Sequence, residues 1–223
     1  LVETGNVLMD NQTGKIIGFV AGRDYNVSHS NHALDTVRQV GSTIKPISVY
    51  GSAIDQGMIG SESRLANYPT SYRGGGELTN ATNSGTNTFD TVRYSLEWSY
   101  NIPVYHLNEA MKQQMGDDYF AYNHYPASEA WAYESAPLGA VEATVLTQTN
   151  GFQTLANKGQ YQKGYMIEKI TDNNGKVIYE HKNEPVQVYS PATASIMNDM
   201  MRSVLDSKIT TPFKPVVSGL NPD

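Results

Sequence analysis

Pro46 constrains this chain more tightly than any other residue, because it fixes where a helix can begin. Proline has no N–H, and its ring clashes with the carbonyl four residues back, so a helix accepts it only in or beside the first turn. The segment Arg38-Gln39-Val40-Gly41-Ser42-Thr43-Ile44-Lys45-Pro46 therefore predicts a helix over roughly 43–57, with Ile44, Ile47, Val49, Tyr50 and Ile54 on its apolar side. Ser42 falls at its N-terminus, where unpaired amides and the positive dipole end favour a developing oxyanion. Lys45, three residues on, shares a face with Ser42 and is expected to reach its hydroxyl directly. A serine so placed beside a lysine reads as an activated nucleophile with its base. The pattern alone is weak. With 18 Ser and 10 Lys in 223 residues, chance supplies about one Ser-x-x-Lys, and an N-capping serine before a solvated lysine looks the same.

The elements around it follow from pattern and punctuation. Val7–Asp10, the turn Asn11-Gln12-Thr13-Gly14 and Ile16–Ala21 read as a β-hairpin. Residues 58–87, with Gly74-Gly75-Gly76, read as a long surface excursion. Thr88 is expected to cap a helix reaching Trp98, with Phe89, Val92 and Leu96 on its buried side. Ser99-Tyr100-Asn101 interrupts that helix, and Pro103 starts another running to about Met115. Aromatic-rich residues 117–140 read as short helical turns with loops. Val141–Lys158 reads as a buried helix stopped by Asn157-Lys158-Gly159. Residues 165–181 form a second hairpin turning at Asp172-Asn173-Asn174-Gly175, and Ser190 caps a helix opened by Pro191. The fold class is α/β (α+β): sheet strands and a connection over 1–37, a mainly helical part over 38–159, a small β excursion over 160–190, and a helix over 191–206. Two strands do not make a stable sheet, so partner strands for the first hairpin are expected beyond Asp223.

Composition removes several classes of function. A net charge of −6 and a pI near 5.3 leave no basic stripe for a nucleic acid. The absence of cysteine excludes thiolate catalysis, disulfides and cysteine-ligated metals. No apolar run approaches the length of a membrane span. His29-x-x-His32 has the spacing of a metal pair but lacks clustered further ligands, and reads as a surface loop.

Ser99-x-Asn101 is about twice as common by chance as Ser-x-x-Lys, and its bland reading is a helix-ending loop that satisfies its own backbone. Its place in a helix break would nevertheless let Ser99 and Asn101 point into one cleft. The order Ser-x-x-Lys then Ser-x-Asn resembles the penicillin-recognising serine enzymes. Val7–Asp24, Arg38–Pro46, Asn150–Gly159 and Ile170–Tyr179 are together similar to the transpeptidase domain of class A high-molecular-mass penicillin-binding proteins. The resemblance covers about residues 6–206. It implies a D,D-transpeptidase that cross-links peptidoglycan stem peptides through a serine acyl-enzyme from D-Ala-D-Ala. By position, Ser42 would be the nucleophile, Lys45 its base, Ser99 the proton relay to the leaving amine, and Asn101 the holder of the substrate amide. It implies no metal or organic cofactor, covalent capture of β-lactams at Ser42, and work at the extracytoplasmic face of a bacterial membrane. There an upstream anchor and a glycan-polymerising domain would precede this chain.

One departure from that family stands out. Its third motif, Lys-Thr/Ser-Gly on a strand, is absent; Lys208-Ile209-Thr210 lacks the glycine and follows a helix. The remaining part of the domain is therefore expected beyond residue 223, and this stretch alone is expected to be inactive or weakly active. The rival readings are a serine β-lactamase, with Glu134 as a candidate base for deacylation, and a penicillin-binding sensor or non-catalytic wall module. Acylation of Ser42 by a fluorescent penicillin should be slower in this stretch alone than in a longer one carrying the third motif; equal rates would refute the expectation.

Overall fold

A computed structural model describes residues 3–116 and 129–207. Lys208-Ile209-Thr210 and the first part of the aromatic-rich stretch, 117–128, lie outside the described residues. The chain opens with β1 (Asn6–Met9) and β2 (Ile16–Val20), paired antiparallel with a register shift at Leu8/Met9. Asp10 shapes the turn, accepting from the amides of Gln12 and Thr13 and from the Thr13 hydroxyl. Among the described residues no third strand joins this pair, although the Ile16 amide donates to the Tyr165 carbonyl at 2.7 Å, and Leu8, Ile17, Phe19 and Val20 are exposed. β3 (Arg38–Gln39) then leads into the helical stretch 41–55.

That stretch is not one regular helix. Gly41–Ile44 is 3₁₀, Lys45–Tyr50 is π, and only Gly51–Asp55 (α1) is α-helical. Pro46 explains the change. It cannot donate, so the Ser42 carbonyl takes the Lys45 amide in a tight turn, and the next turn widens until the Gly51 amide reaches the Pro46 carbonyl. The residues expected on the apolar side, Ile44, Ile47, Val49, Tyr50 and Ile54, are all buried in the main core with Val92, Leu96, Leu155, Met197 and Met200.

The excursion over 58–87 is more ordered than its composition suggests. β4 (Arg64–Asn67) pairs with a later strand, and β5 (Thr70–Ser71) pairs with β6 (Glu77–Leu78). β7 (Thr88–Thr91) is the partner of β4. The helix expected from Thr88 therefore starts later. Thr91 is its cap, accepting from the Tyr94 amide, and α2 covers Val92–Glu97. Phe89, placed on the strand instead, is half-exposed against Tyr68. Pairing with a distant strand outweighed the local capping preference. α3 (Ile102–Met115) carries Pro103 in its first turn, as expected.

Two 3₁₀ turns, Glu129–Ala132 and Ala136–Leu138, precede β8 (Glu142–Ala143) and α4 (Val145–Ala156). The start of α4 also differs from expectation, because Glu142–Ala143 pairs with β3 and Thr144 caps the helix through the Thr147 amide. β9 (Gln160–Tyr161), β10 (Lys169–Thr171), β11 (Val177–Glu180) and β12 (Val186–Gln187) follow. β10–β11 is the expected second hairpin, and β9 pairs with β12. α5 (Pro191–Ser207) closes the description, with Ser190 accepting from the Thr193 amide.

The ladder between β3 and β8 continues toward Ser42. The Val40 amide reaches the Val141 carbonyl and the Gly41 amide the Gly139 carbonyl, each at 3.1 Å. Gly41 and Gly139 have φ of +58° and +105°, and a Cβ on Gly139 would lie 2.1 Å from the Gly41 oxygen. The obstacle is backbone, which cannot rotate away. Gly139→Ala should therefore destabilise by about 2 kcal/mol or more, read as a lowered thermal midpoint; an unchanged midpoint would show that this contact does not constrain the turn.

Candidate active site

The interruption of α2 is a C-terminal cap with an unusual occupant. The Tyr100 amide donates to the Ser95 carbonyl and the Ser99 amide to the Leu96 carbonyl, the paired bonds of a Schellman ending. The left-handed position in that motif ordinarily holds glycine, but here Ser99 adopts φ +53°. A non-glycine residue there is strained by about 1 kcal/mol. In return a hydroxyl and two consecutive carbonyls converge on one point.

That point is occupied by Lys45. Its Nζ donates to the Ser99 carbonyl at 2.7 Å, Asn101 Oδ1 at 2.8 Å, the Tyr100 carbonyl at 3.2 Å and Ser99 Oγ at 3.3 Å. The residue is 1% exposed. Burial strips water from the ammonium and pushes its pKa down to about 7, while the carbonyls around it pull the other way by favouring the charged form. Near neutral pH a substantial fraction of the amine therefore carries a lone pair.

Ser42 lies one 3₁₀ turn before Lys45, and residues i and i+3 eclipse in such a turn. Its side chain is exposed. Among the described residues no hydrogen bond joins its hydroxyl to the amine. This differs from the direct contact expected from spacing, because the amine is turned toward the carbonyls of the second loop. The structure thus joins Lys45, Ser99 and Asn101 by hydrogen bonds and leaves Ser42 facing outward beside them. Asn101 keeps hydrogen-bonding capacity: Nδ2 donates once, to the Thr79 carbonyl at 2.8 Å, and Oδ1 accepts once, from Lys45, leaving one N–H and one lone pair. Trp98 and Tyr100 stack beside the loop, with Tyr94 against both.

Glu134 is held elsewhere. It accepts from the Tyr105 hydroxyl at 2.7 Å and from the Arg73 amide. The Tyr105 hydroxyl, more than any other contact, holds its carboxyl below the usual range. Arg73 also pairs with Glu109.

Residues 4–219 match the family described as the penicillin binding protein transpeptidase domain. The chain belongs to that family. Penicillin-binding protein 4 of Bacillus subtilis is 30% identical over 92% of this chain and 33% of its own length. Penicillin-binding protein 1A of Aquifex aeolicus is 32% identical over 92% of this chain and 28% of its own. The chain thus spans about a third of the length of these relatives. Among solved structures, penicillin-binding protein 1A from Haemophilus influenzae superposes with a TM-score of 0.78 at 21% identity, over 95% of this chain and 36% of that one. The PonA1 protein from Mycobacterium tuberculosis, in complex with penicillin V, superposes at 0.74 with 20% identity, over 89% and 55%. The fold is accordingly the penicillin-recognising α/β fold.

Sequence reading of this transpeptidase-family chain missed the groups that hold the second loop. Asn80 Oδ1 accepts from the Asn101 and Ile102 amides at 2.8 and 3.2 Å, and behind it stand buried Asn67 and Asp90. One asparagine among several in a Gly-, Ser- and Asn-rich stretch gives no signal of such a role; only the pairing of β4 with β7 reveals it.

If Lys45 must be neutral to act, acylation of Ser42 by penicillin should rise with pH through about 7 and level off above it. The same group has a stability signature. Its folded value lies below the ordinary 10.5, so between about 7 and 10.5 the unfolded chain binds more protons, and stability rises with pH across that window. Lys45→Met should abolish the rise in rate; a flat profile in the unaltered protein would remove Lys45 from the chemistry.

Proposed function

We propose that this chain carries the acylating half of a peptidoglycan D,D-transpeptidase site, with Ser42 as nucleophile, Lys45 as base, Ser99 as proton relay and Asn101 as substrate holder. The supporting observation is the dehydrated Lys45 amine, fixed by Ser99 and Asn101 one turn from an exposed serine. In the forward step neutral Lys45 takes the Ser42 proton while Oγ attacks the penultimate D-Ala carbonyl. The C–N bond then breaks, and Ser99 passes the proton to the departing D-Ala nitrogen, leaving an ester on Ser42. An amine of a neighbouring stem peptide attacks that ester, forming the cross-link and returning the proton to Ser42. A β-lactam opens by the same attack, but its amine stays tethered to the acyl group.

The first-turn position of the Ser42 amide, without an intrahelical acceptor, suits one oxyanion contact. The remainder of the domain would complete the cleft. Consistent with family membership, the reading places the reaction outside the cytoplasmic membrane, with the anchor supplied by another part of the protein. No described helix is long and apolar enough to cross a membrane.

The β-lactamase reading would require Glu134 to activate water, yet its bonds go to Tyr105 and Arg73 and its lowered pKa weakens it as a base. In the full-length protein, penicillin should add its whole mass to Ser42 and remain for many minutes. A D-Ala-D-Ala pentapeptide with a stem-peptide amine should give the cross-linked product. Ser42→Ala should lose both. Rapid release of hydrolysed penicillin would support the lactamase instead, and acylation without transfer would support a sensor.

A further inference from the structure

We infer that Asn80 is a positioning residue for the Lys45–Ser99–Asn101 cluster, and that Asn67 and Asp90 fix which way its amide points. Asn101 occupies the cap position of α3, where a side chain ordinarily accepts from amides of the first turn. Its side chain makes no such bond; Oδ1 receives Lys45 and Nδ2 donates to Thr79. Two other donors at the start of α3, the Asn101 and Ile102 amides, are instead taken from 21 residues upstream, by Asn80 Oδ1.

Asn80 does this only with its oxygen toward α3. Its nitrogen is committed in the opposite direction, donating to Asn67 Oδ1 and Asn83 Oδ1, both at 2.9 Å. Asn67 is oriented in turn by Asp90, whose carboxylate accepts only: Oδ2 receives Asn67 Nδ2 and the Thr86 hydroxyl, each at 2.7 Å. Asn67, Asn80 and Asp90 are 0%, 4% and 9% exposed, so a reversed amide would bury unmatched groups. The donor-to-acceptor order therefore runs one way, from the amides of Asn101 and Ile102 to a single carboxylate. Without Asn80, the Asn101 and Ile102 amides would lose their acceptor, the backbone at the start of α3 would lose its anchor, and Asn101 would drift from Lys45.

The kinetic consequence rests on the acyl-transfer reading above; the capping itself does not. The test uses the full-length protein and three variants: Asn80→Ala, Asn67→Asp, and Asn67→Asp with Asp90→Asn. The readouts are the rate of Ser42 acylation by penicillin across pH and hydrogen exchange at Asn101 and Ile102. Asn80→Ala should slow acylation about tenfold, the scale of one lost cap, shift the midpoint of the pH profile, and expose both amides to exchange. Asn67→Asp sets two carboxylates against each other and should show the same losses. Adding Asp90→Asn restores a donor facing an acceptor and should bring the rate back to within about threefold. The inference is overturned if Asn80→Ala keeps the wild-type profile and protection, or if the double variant is no better than Asn67→Asp. Should Asn80→Ala fail to fold, the comparison of the other two decides. A wild-type protein that does not acylate at Ser42 would sink the functional reading, and exchange at Asn101 and Ile102 would still decide the cap.

Discussion

The site depends on one amine kept out of water. An ammonium buried without partners would be expelled or neutralised, and Lys45 stays because Ser99, Tyr100 and Asn101 offer it oxygen atoms at 2.7–3.3 Å. Burial pushes the group down to titrate at about 7, while the acceptors hold the amine in place. A more exposed lysine would be a spectator cation at neutral pH. The same four bonds draw the stretch 41–55 and the link between α2 and α3 into a single unit, so position and protonation have a common origin.

Both sides of that unit use backbone conformations that residues with a Cβ rarely adopt. On one side Gly41 and Gly139 meet backbone to backbone, with positive φ at each. On the other, a serine sits where a helix ending prefers glycine. The first allows the chain to enter the 3₁₀ turn at the angle that leaves Ser42 exposed. The second turns two carbonyls and a hydroxyl onto Lys45. Non-glycine residues in such conformations persist only where surrounding structure over-determines them, and the asparagine-rich segment between β4 and β7 supplies part of that constraint.

Much of this was legible in the sequence because proline and glycine speak locally. Pro46 and Pro103 located two helix starts, Asp172–Gly175 a hairpin, and Ser190 a cap. The collinear segments placed the chain in its family. What could not be read was non-local. Thr88–Thr91 looked like a helix cap because the pairing partner of β7 lies more than twenty residues away. The π segment arises from how the chain accommodates Pro46, which periodicity does not record. The role of Asn80 is hidden for the same reason, since a polar residue in a polar stretch acquires meaning only when strands bring it to a helix end. Ser42 and Lys45 were rightly placed on adjacent turns, but spacing carries no information about carbonyls that arrive from 54 residues downstream.

The irregular middle of the stretch 41–55 has one more effect. Apolar packing tolerates sliding, since one methyl group serves nearly as well as the next. A helix held only by Ile44, Ile47 and Val49 could shift along its axis. Here the Tyr189 hydroxyl reaches the Ile47 carbonyl at 2.5 Å, and Asp55 receives the Ser190 amide and the Thr193 hydroxyl. Three directional bonds at two points eight residues apart, made by the approach to α5 and its first turn, act as index pins. They lock the axial register of the segment that ends in Ser42, as a hydrophobic interface alone does not.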